Sequence, residues 1–211
     1  MSKGFMVVLD GSNGAGKTTV IEEIKKYLTL KGFDVVLTRE PGGTQIGEKI
    51  RDILLDSATP EMCDLTELML FGAGRAQHLK EKIIPALKNG KIVISDRFDA
   101  ATFSFQHHAR GIDIETITKI NDLALDGFIP DMNIILDLDP LEGLKRVKER
   151  SGKLDRLEKE KLDFLIKARN GYLIQAKEKP DNFRVIDAAR PKEMVLQDVL
   201  KEINLLLEVY N

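Results

Sequence analysis

A single cysteine, Cys63, occurs in 211 residues, which excludes an internal disulfide and a cysteine-built zinc site. Its setting, Pro-Glu-Met-Cys-Asp-Leu, reads as the start of a helix in which it is an ordinary helix residue and not a nucleophile. No apolar run approaches the roughly 20 residues of a membrane span. The Met-Ser-Lys-Gly N-terminus enters a short apolar strand at once, with neither an h-region nor a small-residue cleavage site. Charge of one sign is also lacking: 32 Lys and Arg against 34 Asp and Glu leave a net charge of −2. That balance argues against a general nucleic-acid surface while permitting a local basic pocket. Repeats, low-complexity tracts and linkers are missing too. With 43% hydrophobic and 31% charged residues the chain is not disordered, and its length suits one domain over residues 1–211. A soluble, cytoplasmic protein with no membrane and no nucleic-acid partner is expected.

What is present is an alternation. Five short apolar runs, at 5–10, 34–38, 91–96, 132–137 and 182–187, are rich in Val and Ile and too short for ordinary helices. Amphipathic segments separate them. Residues 17–30 carry Val20, Ile21, Ile24 and Leu28 near a 3.6 period, and 192–210 carries Met194, Val195, Val199, Ile203 and Leu207. Asp139-Pro140 and Thr59-Pro60 read as an N-cap followed by proline at the first helical position. Pro85 should kink the helical stretch 75–88. Near-continuous apolar strands alternating with helices imply an α/β fold, a parallel sheet covered on both faces.

The strongest motif is Gly11-Ser12-Asn13-Gly14-Ala15-Gly16-Lys17-Thr18, a full G-x-x-x-x-G-K-[ST] between the first strand and the first helix. Its glycines let backbone N–H groups curl around phosphates at a helix N-terminus. Lys17 would reach the β/γ oxygens and the Thr18 hydroxyl would coordinate magnesium, so a nucleoside triphosphate with Mg²⁺ is expected. Neither the D-x-x-G nor the N-K-x-D tetrad of a GTPase switch occurs. Asp96-Arg97 ends the third strand, where parallel-sheet ligand crevices lie. Asp96 is placed there to hold the magnesium hydration shell and Arg97 to clamp a phosphate.

Three further groups are weaker. Thr38-Arg39-Glu40-Pro41-Gly42-Gly43-Thr44 is a tight turn after the second strand, with Arg51 on the next helix. In Leu70-Phe71-Gly72-Ala73-Gly74-Arg75, Phe71 and Arg75 share a helix face at i and i+4. A flat ring beside a planar donor fork suits a nucleobase, although a core Phe and a solvated Arg fit the same spacing. The run from Lys145 to Arg156 holds six Lys or Arg against Glu149 and Asp155, with Ser151-Gly152 breaking the helix, and reads as a basic flap or a solvated helix end.

In this order and spacing the groups resemble the bacterial thymidylate kinases. The matching blocks are the P-loop at 11–18, TREPGGT at 38–44, LFGAGR at 70–75, ISDRF at 94–98, Gln106 with Arg110-Gly111, and LDRLE at 154–158, over about residues 5–208. The resemblance implies a P-loop kinase fold, a five-stranded parallel sheet in order 2-3-1-4-5 with a short basic lid at about 146–158 and a monophosphate-binding region at about 38–110. It implies ATP on Gly11 through Thr19, with Arg146 beside the adenine. Phe71 would stack on thymine, Arg75 would donate to its carbonyl edge, and Thr102 and Gln106 would lie beside it. Arg51 and Arg97 would grip the 5′-phosphate, and Glu40-Pro41, with a cis peptide, would shape the sugar-phosphate end. Phe105 stands near the ribose where the family usually has Tyr. Asn13 stands in place of Asp or Glu, and Ala101 in place of a small hydroxyl residue. Gly14 offers no P-loop cation, so the transition-state arginine would come from the lid, with Arg150 and Arg156 as candidates. A homodimer is implied as well.

The implied reaction is ATP plus dTMP giving ADP plus dTDP, with catalysis by Lys17, Arg97 and the lid arginine. Another nucleoside monophosphate kinase, for UMP/CMP or for deoxynucleotides broadly, is the nearest alternative. A non-enzymatic ATP-binding switch is the alternative from a different class.

Overall fold

The computed structural model of the chain describes residues 4–58, 61–151 and 155–210, with the side chains of Arg150 and Ser151 outside that description. The expected cap at Thr59-Pro60 and the break at Gly152 therefore lie outside the described residues.

All five apolar runs are strands: β1 (Met6–Gly11), β2 (Val35–Arg39), β3 (Ile92–Asp96), β4 (Met132–Asp137) and β5 (Phe183–Asp187). They form one parallel sheet in the order β2-β3-β1-β4-β5, the expected order. Between and after them lie α1 (Lys17–Leu30), α2 (Gln45–Leu55), α3 (Asp64–His78), α4 (Ile84–Lys88), α5 (Asp99–Thr102), α6 (Ile114–Leu125), α7 (Pro140–Ser151), α8 (Leu162–Glu178) and α9 (Lys192–Tyr210). Side chains alternate across β1. Val7 and Leu9 pack with Val20, Ile24 and Leu28 of α1 and Val199 and Ile203 of α9, whereas Met6 and Val8 pack with Leu79, Ile83 and Phe98 on the other face. A third cluster joins Phe164 and Tyr172 of α8 to Phe105 and Ile135. Both sheet faces are covered, which is why the strands read as unbroken apolar runs.

The punctuation has local causes. Asp139 caps α7 by accepting from the backbone N–H of Leu141 and Glu142, with Pro140 at the first helical position as expected. Before Pro85, which has no N–H to donate, residues Leu79–Ile83 widen into a π-helical turn. A second π-helical segment, Phe103–Ala109, carries Phe105 and Gln106.

Two details correct the sequence reading. Met194 is 47% exposed, so the buried stripe of α9 is Val195, Val199, Ile203 and Leu207. Cys63 is not inside a helix. It is the exposed residue just before α3, where the Thr66 hydroxyl and backbone N–H groups of the first turn lower its thiol pKa.

Candidate active site

The C-terminal ends of β1, β2 and β3 open into a cleft of about 410 Å³. One part of the lining is the P-loop, with Asn13, Gly14, Gly16, Lys17, Thr18 and Thr19. Phe71, Arg75, Ala101, Thr102, Phe105 and Gln106 form another part of the lining, which also includes Arg39, Glu40, Pro41, Arg51, Asp96, Arg97, Arg146 and Glu158. The four scattered sequence groups therefore meet in one place.

At the P-loop, Gly14 has φ +77°, and a Cβ there would stand 2.3 Å from the Gly143 carbonyl oxygen of α7. Glycine is the residue that both fits and adopts this conformation. Lys17 is buried, its Nζ donating to the carbonyls of Gly11 (3.2 Å) and Ser12 (3.0 Å). Burial and the nearby Arg97 push its pKa down to about 8, against the pull of Asp96, Asp10 and Glu158. Because kcat/KM reports the free enzyme, kcat/KM for ATP should fall as pH rises through about 8, where the ammonium loses its proton. A profile that stays flat well above that value would contradict a charge-based role for Lys17.

Thr18 and Asp96 line the same cleft. Among the described residues no group of three or more His, Cys, Asp or Glu could cage a metal ion. One hydroxyl and one carboxylate suit a magnesium ion that arrives with phosphates and keeps much of its water.

Arg97 joins β1, the P-loop and α8. It sits just past β3 at φ +70°, a left-handed conformation uncommon for a residue with a side chain. Its guanidinium donates to Asp10 Oδ1 (2.9 Å), the Tyr172 hydroxyl (2.7 Å) and Asn13 Oδ1 (2.5 Å), and lies 5.2 Å from the Phe105 ring centre. Tyr172 in turn donates to Asp10 Oδ1 at 2.5 Å. Burial raises the Asp10 pKa, opposed by Arg97 and the Tyr172 hydrogen bond. For Arg97 burial opposes the charge, yet Tyr172, Asp10 and Asp96 hold its pKa above the usual value.

The Arg75 part of the lining rests on a buried polar network. Arg75 is 1% exposed, so the solvated-arginine alternative does not hold. Its Nε donates to Glu40 Oε2 (2.9 Å), Nη1 to Asn121 Oδ1 (2.6 Å) and Nη2 to the Phe98 carbonyl (3.1 Å). Glu40 also meets His78 Nδ1 at 3.0 Å, and His78 Nε2 meets Thr38 Oγ1 at 2.6 Å. A Cβ on Gly43 would stand 2.5 Å from His78 Nε2, which explains a glycine in that turn. The Glu40-Pro41 peptide is cis, as expected, and Arg51 Nη1 donates to the Pro41 carbonyl at 2.8 Å. The Thr102 hydroxyl is buried without a hydrogen-bond partner among the described residues, as a ligand-facing group would be.

Arg156, one of the two arginines expected to serve the transition state, is not in the cleft lining. Arg156 donates through Nε to the Leu54 carbonyl (2.8 Å) and through Nη2 to Glu67, while its neighbours Asp155, Leu157 and Glu158 line the cleft. The Arg150 side chain lies outside the described residues. Arg146 donates to Glu142 Oε1 and to the Ala188 carbonyl.

Sequence reasoning passed over Asp10, Glu67, Asn121, Glu158 and Tyr172. Asp10 was visible as the residue before the P-loop, and Glu67 as the residue one helical turn before Phe71. Nothing local marks Tyr172 or Asn121.

The thymidylate kinase family model matches residues 9–199. The chain belongs to the thymidylate kinase family. Thymidylate kinase from Geobacillus sp. (strain WCH70) is 47% identical over 194 residues, covering 92% of each chain. That of Clostridium novyi (strain NT) is 42% identical over 200 residues, covering 94% of this chain and 98% of the relative. The crystal structure of thymidylate kinase from Ehrlichia chaffeensis superposes with a TM-score of 0.77 at 32% identity, covering 96% and 99%. Membership of the thymidylate kinase family makes the chain a nucleoside monophosphate kinase with the P-loop kinase fold.

Proposed function

We propose that the chain transfers the γ-phosphoryl group of Mg-ATP to dTMP, giving ADP and dTDP for dTTP synthesis. One observation carries the reading: a single cleft is lined by the P-loop, by Phe71 and Arg75, and by Arg51 and Arg97. The acceptor oxygen is already anionic, so no general base is required, and positioning with charge stabilisation accounts for catalysis. ATP phosphates occupy Gly11 to Thr19 with Lys17 on the β/γ oxygens, and Arg146 flanks adenine. Thr18 and Asp96 would hold a magnesium ion, which would neutralise phosphate charge. Arg97 and Arg51 hold the dTMP phosphate, and Thr102, Gln106 and Arg75 surround a thymine stacked on Phe71. Residues 146–158 form the lid within one domain, and two chains pair as a homodimer in the cytoplasm. No helix of the described residues is long and apolar enough to cross a membrane.

The lid supplies the transition-state arginine. Arg156 is also tied to Glu67, so its loss should raise the KM for dTMP as well as lower kcat, whereas Arg150→Ala should lower kcat more than it raises either KM. Wild-type turnover in both single variants and the double variant would remove the lid from the mechanism.

Phe105 tests the sugar end. It is 8% exposed, packs on Phe164 and Tyr172, and offers no hydroxyl to a ribose 2′-OH. An unpaired buried hydroxyl costs about 1–3 kcal/mol, roughly 5- to 150-fold, so dUMP should be used far better than UMP. Phe105→Ala should narrow that gap while costing about 3–5 kcal/mol of stability. Lost stability with an unchanged dUMP-to-UMP ratio of kcat/KM would make Phe105 a packing residue only.

A further inference from the structure

Glu67 lies on α3 and is 1% exposed, outside the cleft lining but directly behind it. Its Oε1 accepts from Gln106 Nε2 at 2.8 Å and Arg110 Nε at 3.1 Å. Its Oε2 accepts from Arg110 Nη2 at 3.0 Å and from Arg156 Nη2. Burial pushes this acid up, but the hydrogen bonds from Arg110, Gln106 and Arg156 outweigh it and hold the pKa below the usual carboxylate value. An ionised carboxylate only accepts hydrogen bonds. Gln106 therefore has to turn its NH₂ group toward Glu67, which leaves its carbonyl oxygen for the cleft that it lines.

We infer that Glu67 determines base specificity by fixing the amide of Gln106 with its acceptor toward the cleft. This rests on the reading that a pyrimidine lies on Phe71. Arg75, at the same wall, can only donate. One donor beside one acceptor complements a 4-keto pyrimidine, which offers an acceptor at O4 and an N–H at N3. Cytosine presents the reverse, an amino group and a bare N3. A glutamine free to rotate by 180° could accept from an N3–H or donate to a bare N3, so the discrimination at N3 belongs to the carboxylate that removes this choice. Glu67 touches no substrate atom and is a positioning residue.

The test is the ratio of kcat/KM for dUMP to that for dCMP, two substrates that differ only at the edge in question. The ratio should favour dUMP in the wild type and fall at least about 10-fold in Glu67→Gln, whose amide accepts or donates and frees Gln106 to flip. Gln106→Leu leaves Glu67 with both its arginines and should lose the same discrimination. The exchange Glu67→Gln with Gln106→Glu keeps the net charge and an acceptor facing the cleft, and should keep the wild-type preference. A purely structural role would depress both substrates alike and leave the ratio untouched. A folded Glu67→Gln variant with the wild-type ratio would overturn the inference. If that variant fails to fold, an intact ratio in Gln106→Leu or a collapsed ratio in the exchange variant would do so. Failure of the underlying reading looks different: the wild type would not use dTMP or dUMP at all, or Phe71→Ala would leave the KM for dTMP unchanged.

Discussion

Replacing Lys17 with alanine should lower kcat by about 10²–10³-fold or more, the scale of losing one preorganised donor at developing phosphoryl charge. Affinity for dTMP should stay near wild type, because the Lys17 ammonium is held on the P-loop carbonyls of Gly11 and Ser12, where the proposed ATP phosphates bind. The same substitution should not harm the fold. The ammonium is buried and held at about 8, below its usual 10.5, so the folded state binds that proton less tightly than the unfolded chain does. Below pH 8 the charge is carried at a cost, which is relieved as pH rises from about 8 toward 10.5. Wild-type stability relative to Lys17→Ala should therefore rise across that window. Steady-state kinetics, dTMP titration calorimetry and thermal unfolding at pH 7 and 10 check all three points. A loss of dTMP affinity as large as the loss of turnover would place Lys17 on the wrong substrate.

Arg97→Met should be the most damaging single change, because it acts on fold and chemistry together. Asp10 is fully buried, and among the described residues its Oδ1 keeps only the Gly11 N–H and the Tyr172 hydroxyl once the guanidinium is gone. Breaking a buried ion pair from one side typically costs about 3–5 kcal/mol. Asn13 loses its Arg97 contact as well, while still donating to Glu158 at 3.1 Å, so the P-loop and the segment that carries Glu158 would loosen together. The proposed grip on the acceptor phosphate disappears at the same time, and kcat/KM for dTMP should fall by about 10³-fold or more. Arg97→Lys keeps the charge but cannot reach Asp10, Tyr172 and Asn13 with one ammonium, so it should recover part of the stability and little of the rate. Denaturant unfolding beside kinetics separates the two. Near-wild-type turnover in Arg97→Met would mean that the phosphate is held elsewhere.

The scaffold was largely legible in the chain. The central strands β1, β3 and β4 are buried nearly throughout and so read as unbroken apolar runs, and glycine and proline punctuate the strands near their ends. The P-loop was legible because its chemistry is contiguous. The polar network behind the cleft was not. Helical spacing put Phe71 and Arg75 on one face but could not say that Arg75 would be buried, since its counter-ion Glu40 is 35 residues away. Arg156 looked like a free lid cation because its partner, Glu67, is 89 residues earlier. Tyr172 reaches Asp10 across 162 residues, a contact that no local pattern encodes. Each of these is a buried pairing created by the fold. Periodicity and spacing report on faces and turns, whereas such pairings depend on how distant elements are brought together.

The most direct test of the central claim is ADP release from Mg-ATP in a coupled assay across dTMP, dUMP, UMP, CMP and dGMP. The account predicts release that depends on the monophosphate, greatest with dTMP, lower with dUMP and far lower with UMP. Highest turnover with UMP or CMP, or ATP binding with no dTMP-dependent release of ADP, would contradict it.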